Sequence, residues 1–175
     1  MYNNNHAFPT ELAAADGTIV RLCPLDLTQG KPVYCSHKGD FYTYFHNQLR
    51  VRKPDIVLHY NRNTCHTRYP KIGRHLGNKN LHVLMALTWI GPRPFVVSPD
   101  GTTIPMEVDH LNGNILDWRA DNLDYVTPEE NHKRARLLRV LRNIGRDPQQ
   151  MSREELLEIF SSEAAINAGT INKEK

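Results

Sequence analysis

The segment that decides the fold reads V-D-H-L-N-G-N-I-L-D-W-R-A-D-N-L-D-Y-V-T-P-E-E-N and spans residues 108–131. Apolar and polar residues alternate through residues 104–108, a pattern that predicts a half-buried strand delivering Asp109 and His110 at its end. The Asn-Gly pair at residues 112–113 is a strong turn signal, because both residue types tolerate positive φ. Residues 122–126 offer a second strand, so two short strands joined by a shaped loop are expected.

A helix is predicted directly after the second strand. Thr127 suits the N-cap and Pro128 the first helical position, while Glu130 stands at the third position, from which its carboxylate can reach back to the N-cap. Asn131 follows one turn into the helix, where it can fold back towards the Asp-His pair. The expected unit is therefore ββα, two strands followed by a helix.

The polar residues of this unit suit a hydrolytic metal site. The carboxylate of Asp109 and the amide oxygen of Asn131 are hard ligands of the kind that Mg²⁺ or Mn²⁺ prefers. His110, with an ordinary pKa of about 6.5, can take a proton from an attacking water, so activity should rise between about pH 6 and 8. Asn122 can hydrogen-bond the loop between the strands and orient His110, so we interpret it as a brace and not as a ligand.

The motif residues are Asp109-His110-Leu111-Asn112-Gly113-Asn114, Arg119, Asn122-Leu123 and Val126-Thr127-Pro128-Glu129-Glu130-Asn131. Together they resemble the HNH nuclease motif of phage and intron homing endonucleases, in its H-N-N variant. The resemblance implies that His110 is the general base, that Asn122 stabilises the loop and that Asp109 and Asn131 are metal ligands. It also implies DNA cleavage with one divalent cation, leaving 5'-phosphate and 3'-hydroxyl ends.

The resemblance extends upstream and covers roughly residues 33–131. Residues 81–91, L-H-V-L-M-A-L-T-W-I-G, are similar to the short helix that precedes the motif, and Ser36-His37-Lys38-Gly39-Asp40-Phe41-Tyr42 resembles the S-x-x-G-x-aromatic strand pair before it. Three features depart from the family pattern. Val83 replaces a usual Arg, Trp118 replaces a common Asn in the loop between the strands, and residues 92–105 form a longer connection than usual.

His132 is the alternative to Asn131 as the second metal ligand. Adjacent helical residues diverge by about 100 degrees, so only one of the two can face the site. The motif alignment favours Asn131. An Asp-His pair beside an Asn-Gly turn would by itself be an ordinary surface turn, and the joint occurrence with Asn122, the helix cap and Asn131 carries the interpretation.

Two segments are basic, although the net charge of the whole chain is only +3. Between Lys31 and Lys79 ten Lys and Arg residues stand against two acidic ones, interleaved with aromatic residues in strand-like runs at residues 34–45 and 55–60. A small antiparallel sheet with a basic face is expected there. The helix after Pro128 carries a second basic stripe, opposite an apolar face of Leu137, Leu138, Val140, Leu141 and Ile144.

Both basic segments are candidates for contact with the DNA backbone, and a solvated surface is the alternative in each case. The candidate DNA-binding residues are Arg50, Arg52, Lys53, Arg119, Lys133, Arg134, Arg136 and Arg139. We expect four regions: an N-terminal extension (1–30), a basic β-rich DNA-binding region (31–80), a nuclease domain with its basic helix (81–146), and a C-terminal helix and tail (147–175). The C-terminal helix begins with a second capping box at residues 152–155, is acidic and amphipathic, and should pack on the domain or on a partner.

The cysteines give no sign of a disulfide framework. Cys23, Cys35 and Cys65 are odd in number and lack C-x-x-C spacing, so free buried thiols are expected. A structural zinc site from Cys35, His37, Cys65 and His66 is disfavoured, because its paired ligands stand too close in the sequence. Residues 1–10 lack the apolar core of a signal peptide and no run reaches membrane-spanning length, so an intracellular, cytoplasmic location in bacteria or as a phage product is expected.

The expected fold class is α+β, with a ββα-metal core that follows a small antiparallel sheet and precedes C-terminal helices. The expected function is DNA cleavage with Mg²⁺ or Mn²⁺. Two other classes remain open. One is a DNA-binding module without catalysis on the same scaffold, which would bind DNA salt-sensitively and not cut it. The other is an interaction protein that works through its acidic C-terminal helix.

Overall fold

The computed structural model describes residues 8–53 and 69–162 and is α+β. The chain divides into two compact units, unit 1 with residues 1–92 and 118–120 and unit 2 with residues 93–117 and 121–175. The predicted strand at residues 55–60, two of the four zinc ligands considered above and the C-terminal tail lie outside the described residues. Within the described ranges no helix has the length and apolar character needed to cross a membrane.

Unit 1 contains a five-stranded antiparallel sheet whose strands follow chain order. Its strands are β1 (Glu11–Ala13), β2 (Ile19–Leu22), β3 (Val33–Ser36), β4 (Phe41–Phe45) and β5 (Gln48–Arg52). The antiparallel sheet predicted from the basic, aromatic region is confirmed. It begins earlier than expected, because β1 and β2 pair with the later strands, so the division proposed at residues 30 and 31 cuts through one sheet.

Three aromatic residues of the sheet, Tyr34, Phe41 and Tyr42, are buried in its core, whereas Phe45 is exposed beside Arg50. All four residues of the central strand β3 are buried. Tyr34 and Tyr42 pack with Val20 on one face, and Phe41 is fully buried. Val33, Tyr34 and Cys35 suit a strand that is covered on both faces, and the buried Ser36 hydroxyl donates to the Asp40 carboxylate at 3.0 Å. Cys23 and Cys35 are buried free thiols, with 3.6 Å between their sulfur atoms.

The short helix predicted over residues 81–91 is present in unit 1. An α-helix, α1 (Leu81–Met85), runs directly into a π-helical turn at Ala86–Ile90, where the Gly91 amide donates to the Ala86 carbonyl at 3.0 Å. Trp89 of this turn donates its indole N–H to the Cys35 carbonyl at 3.2 Å. This segment therefore belongs to the compact unit of the sheet, although the sequence had placed it with the nuclease domain.

The described residues of unit 2 form two hairpins and two α-helices. These elements are β6 (Phe95–Val97), β7 (Thr103–Pro105), β8 (Glu107–His110), β9 (Leu123–Val126), α2 (Pro128–Asn143) and α3 (Arg153–Ser161). The long connection at residues 92–105 is thus the β6–β7 hairpin. The single strand predicted through residues 104–108 is interrupted at Met106, after Pro105, whose lack of a backbone N–H suits a strand end. Asp109 and His110 lie inside β8.

The two helices pack through one apolar cluster. Its buried residues are Leu111, Leu137, Leu138, Leu141, Leu156 and Phe160. Of the apolar face predicted for α2, Val140 is only half-buried, and Ile144 stands past the helix end with 62% of its surface exposed. The second capping box is confirmed, since Ser152 accepts from the Glu155 amide at 3.1 Å and Glu155 accepts from the Ser152 amide at 2.8 Å.

Trp118, which departs from the family pattern, has a definite place in unit 1. Its indole N–H donates to the Gly39 carbonyl at 2.8 Å, and the neighbouring Ala120 amide donates to the His37 carbonyl at 3.1 Å. Gly39 has a φ of +95°, and a Cβ atom there would lie 2.9 Å from the indole nitrogen. The glycine of the S-x-x-G-x-aromatic segment is therefore required both by its backbone conformation and by the close approach of Trp118.

We predict that Gly39→Ala lowers the free energy of unfolding by about 2 to 3 kcal/mol, of which the positive φ alone accounts for about 1. Gly17→Ala is the matched control, because Gly17 has a φ of +81° but open space around it. Urea denaturation of both variants measures the difference. Equal losses for the two variants would mean that the close approach of Trp118 to Gly39 adds nothing to the cost of the substitution.

Candidate active site

The N-terminus of α2 is capped as predicted on one side only. The Thr127 hydroxyl accepts a hydrogen bond from the Glu130 amide at 3.1 Å, and Pro128 occupies the first helical position. The Glu130 carboxylate does not follow the prediction that it reaches back to the cap. Its two oxygens lie 3.6 Å from the Lys133 amine and 3.4 Å from Arg134 Nε, further along the helix. Attraction to these cations explains the difference.

The cap directs Asn131 towards β8. The Asn131 amide nitrogen donates to a carboxylate oxygen of Glu107 at 2.6 Å. His132, the alternative ligand, is exposed, and its Nδ1 atom lies 2.7 Å from the Pro128 carbonyl of its own helix. The structure therefore brings Asn131 to the strand and leaves His132 on the surface. Glu107 was not among the predicted site residues, although it stands two positions before Asp109 and so shares its face of the strand.

Asp109 lies in a cluster of acidic side chains on the side of the hairpin that faces α2. It is 9% exposed, and Asp124 is its direct cross-strand partner on β9. The Nη1 atom of Arg134 contacts both carboxylates, at 3.5 Å from Asp109 and 3.0 Å from Asp124. Burial raises the pKa of Asp109, and the neighbouring Arg134 guanidinium acts in the opposite direction.

The placement of Arg134 corrects a prediction. We expected it on the exposed basic stripe of α2 as a DNA-binding residue, but it is buried, with only 8% exposure. Its guanidinium forms ion pairs with Asp109, Asp124 and Glu130. It also lies 4.8 Å from the centre of the Phe160 ring. The physical reason is helical periodicity, because residues 134, 137, 138 and 141 share the buried face of α2.

The remaining candidate DNA-binding residues are mostly on the surface. Arg50 and Arg52 on β5 and the following Lys53 are exposed, as is Arg119 in unit 1. In unit 2, Arg136 and Arg139 are exposed on α2, while Lys133 is half-buried beside Glu130.

His110 is almost completely buried. It is 4% exposed and lies opposite Leu123 at the end of β8. His110 is the last residue of β8 and directly precedes the loop that Asn122 contacts. Burial lowers the pKa of His110 from its ordinary 6.5 to about 4. With this pKa the imidazole is neutral from pH 6 to 8, whereas the expected rise in activity across that range had assumed the ordinary pKa of 6.5.

Asn122 binds the loop that joins β8 to β9. Its amide oxygen accepts from the Asn112 backbone N–H at 3.0 Å. Its amide nitrogen donates to the Asn112 side chain at 3.0 Å and to the Asp117 carbonyl at 2.8 Å. The Asn112 side chain in turn donates to the Asp117 carboxylate at 2.9 Å. These bonds have the bracing geometry predicted for Asn122, and Asn112 and Asp117 are partners that the sequence did not suggest.

The oxygen atoms near α2 fit a hard divalent cation. Asp109 offers a carboxylate, and Asn131, whose amide nitrogen is bound to Glu107, can offer its amide oxygen. In the part of the chain that the structure describes, no group of three or more His, Cys, Asp or Glu residues is arranged to hold a metal. A Mg²⁺-type ion commonly uses one or two protein ligands and fills its other positions with water and phosphate oxygens. Asp109 and Asn131 fit that kind of site.

Residues 80–133 match a family model described as HNH endonuclease. The matched segment contains Asp109, His110, Asn122 and Asn131. The match supports an HNH endonuclease assignment for this segment, as the motif had suggested. Such a domain indicates nuclease activity in general, a nucleic acid substrate and the use of a divalent metal. No curated protein and no solved structure matches the chain.

We predict that Asn122→Ala lowers the free energy of unfolding by about 2 to 3 kcal/mol, because it leaves buried polar groups of the loop without their partner. Asn143→Ala, a change at an exposed position near the end of α2, is the control and should stay within about 0.5 kcal/mol of the wild type. Urea denaturation measures both. A loss no larger for Asn122→Ala than for the control would contradict the bracing role.

We also predict an acid-sensitive stability caused by His110. Between about pH 6.5 and pH 4 the unfolded chain binds a proton at this imidazole and the folded chain does not, so stability falls as the pH is lowered. From pH 7 to pH 4.5 this loss should be about 2 kcal/mol in the presence of a chelator. The raised pKa of Asp109 works in the opposite direction, since folding then favours its protonated form.

His110→Gln isolates the histidine contribution, because Asp109 is unchanged in both proteins. Urea denaturation at the two pH values should give a smaller pH dependence for the variant. Parallel losses in the variant and the wild type would show that His110 is not the group responsible.

Proposed function

We propose that the chain is a metal-dependent DNA endonuclease of the HNH type, in which β8, β9 and α2 form a ββα-metal core. The observation that carries the proposal is the contact of Asn131 with Glu107, which brings the third motif residue to the strand of the first. The contact lies within the segment that matches the family. We expect the metal to be Mg²⁺ or Mn²⁺, because the donors are oxygen atoms.

In this proposal, Asp109 and Asn131 hold the divalent cation. The cation, when bound, stabilises negative charge on the scissile phosphate and on the leaving 3' oxygen. Asn122 keeps the loop after His110 in one conformation through its three hydrogen bonds. The expected products carry 5'-phosphate and 3'-hydroxyl ends.

His110 is the proposed general base. A base must be unprotonated before it acts, and the lowered pKa of about 4 keeps the imidazole neutral at physiological pH. Its proton acceptance would activate the water that attacks phosphorus. The burial that lowers the pKa also keeps bulk water away from the imidazole, so the attacking water has to enter with the substrate.

Contact with DNA is proposed for the exposed basic residues. Arg50, Arg52 and Lys53 form one group in unit 1, where Arg52 Nε donates to Thr43 at 3.2 Å and Arg50 lies 5.6 Å from the Phe45 ring. Arg136 and Arg139 form a second group on α2. These side chains would neutralise backbone phosphates, so binding should weaken steeply with salt. Arg134 is no longer a candidate for this role.

We predict that the full chain nicks or linearises supercoiled plasmid with MgCl₂ or MnCl₂, and that EDTA stops the reaction. His110→Ala and Asp109→Ala should each lower the cleavage rate by at least about 100-fold, since they remove the base and a metal ligand. His132→Ala is the matched control, a histidine of α2 that points away from the strand, and it should cleave like the wild type. Gel electrophoresis of the plasmid forms gives the rates.

The assay separates the proposal from its alternative. Salt-sensitive DNA binding without cleavage under either metal would favour a DNA-binding module without catalysis on the HNH scaffold. Cleavage by His110→Ala at the wild-type rate would exclude His110 as the base. Loss of activity in His132→Ala together with full activity in Asn131→Ala would show that His132, and not Asn131, is the second metal ligand.

A further inference from the structure

Arg134 is buried among acidic side chains that belong to three elements of unit 2. Its Nη1 atom lies 3.0 Å from Asp124 on β9 and 3.5 Å from Asp109 on β8, and its Nε atom lies 3.4 Å from Glu130 on α2. With 8% exposure, the guanidinium is largely removed from water. A buried carboxylate is costly unless a cation accompanies it, so Arg134 compensates the charge of this cluster.

The position of this guanidinium is set from α3. Phe160 is 4% exposed, and its ring lies 4.8 Å below the guanidinium carbon. A planar cation stacked on an aromatic face has few orientations available to it. Arg134 and Phe160 both follow the segment that matches the family, which ends at residue 133. The C-terminal helix of this chain therefore takes part in placing a charge beside Asp109.

Arg134 and a divalent cation would share the same carboxylate. Asp109 is the proposed metal ligand, and it is also the carboxylate 3.5 Å from Arg134. Two cations near one carboxylate repel each other, and low local polarity strengthens the repulsion. The guanidinium thus stabilises the metal-free cluster and disfavours metal binding through one and the same contact.

We propose that Arg134 is a resident counter-cation of the metal site. It balances Asp109 and Asp124 when no metal is bound, which lets this part of the chain fold without metal, and it keeps the affinity for a divalent cation low. This inference rests on the proposed metal site at Asp109. One consequence is that phosphate oxygens of the substrate add to metal affinity by contributing negative charge that the protein alone does not supply.

The test compares four full-length proteins: the wild type, Arg134→Met, Arg134→Lys and Leu156→Ala. Arg134→Met removes the charge at similar length, Arg134→Lys retains it, and Leu156→Ala destabilises the same apolar cluster without altering the acidic one. Thermal denaturation is followed in EDTA and in MnCl₂, and Mn²⁺ affinity is measured by titration calorimetry. Neither readout requires DNA cleavage.

Wild-type protein should unfold cooperatively in EDTA and gain little from Mn²⁺. Arg134→Met should have a lower Tm in EDTA, a larger Tm gain from Mn²⁺ and a Kd for Mn²⁺ tighter by about tenfold. If the variant is unfolded in EDTA, Mn²⁺ should restore its folding. Arg134→Lys and Leu156→Ala should bind Mn²⁺ with the wild-type affinity, since neither changes the charge of the cluster.

The proposal is overturned if Arg134→Met binds Mn²⁺ no more tightly than Leu156→Ala, or if Mn²⁺ fails to restore an unfolded Arg134→Met. Adding Asp109→Asn separates this failure from failure of the proposed function. If Asp109→Asn weakens Mn²⁺ binding in the wild type but Arg134→Met does not strengthen it, only the counter-cation inference is wrong. If Asp109→Asn leaves Mn²⁺ binding unchanged in both backgrounds, the proposed metal site is wrong and the inference with it.

Discussion

The charge balance beneath α2 is the constraint on which the rest of unit 2 depends. Carboxylates from β8, β9 and α2 meet one buried guanidinium, that of Arg134, and the guanidinium lies over the Phe160 ring of α3. Each ion pair is long or partly exposed and contributes modestly by itself. Arg134, however, contacts residues of β8, β9, α2 and α3. The position of Asp109 and the packing of both helices therefore depend on the same side chain.

A second set of polar contacts fixes the other end of the hairpin. Asn122 closes the loop with bonds to Asn112 and Asp117, while the adjoining Leu111 is buried in the cluster between the helices. His110 immediately precedes Leu111 and this loop, and it is buried. Burial lowers the pKa of His110, and the same burial is expected to make the folded protein less stable in acid.

Local signals in the sequence predicted the secondary structure around the motif. The helix start at Thr127 and Pro128, the turn at Gly113 and the capping box of α3 each depend on residues within a few positions of each other, and the structure has all three. The resemblance of the motif to that of HNH nucleases agrees with the family model that matches residues 80–133. The prediction that Arg134 lies on the exposed basic stripe of α2 was wrong. Its spacing from Leu137, Leu138 and Leu141 already indicated the buried face of the helix.

Other features depend on contacts between distant segments and had no local signal. The bond between Trp118 and Gly39 joins residues 79 positions apart, and the pairing of β1 and β2 with the rest of the sheet extends unit 1 well before residue 31. Glu107 and Asp124 belong to no recognisable motif, so the sequence did not indicate that they lie near the site. Strand alternation could have predicted that Glu107 shares the face of Asp109. It could not have predicted that Asn131 of α2 would be the partner of Glu107.

The proposed metal site requires that Asp109 and Asn131 together hold one divalent cation. An anomalous difference map from a crystal grown with MnCl₂ and a short DNA duplex tests it most directly. We expect a manganese peak about 2 Å from oxygen atoms of both side chains, with a phosphate oxygen completing the coordination. A peak bonded to His132, or a manganese ion with neither Asp109 nor Asn131 among its ligands, would contradict the proposed metal site.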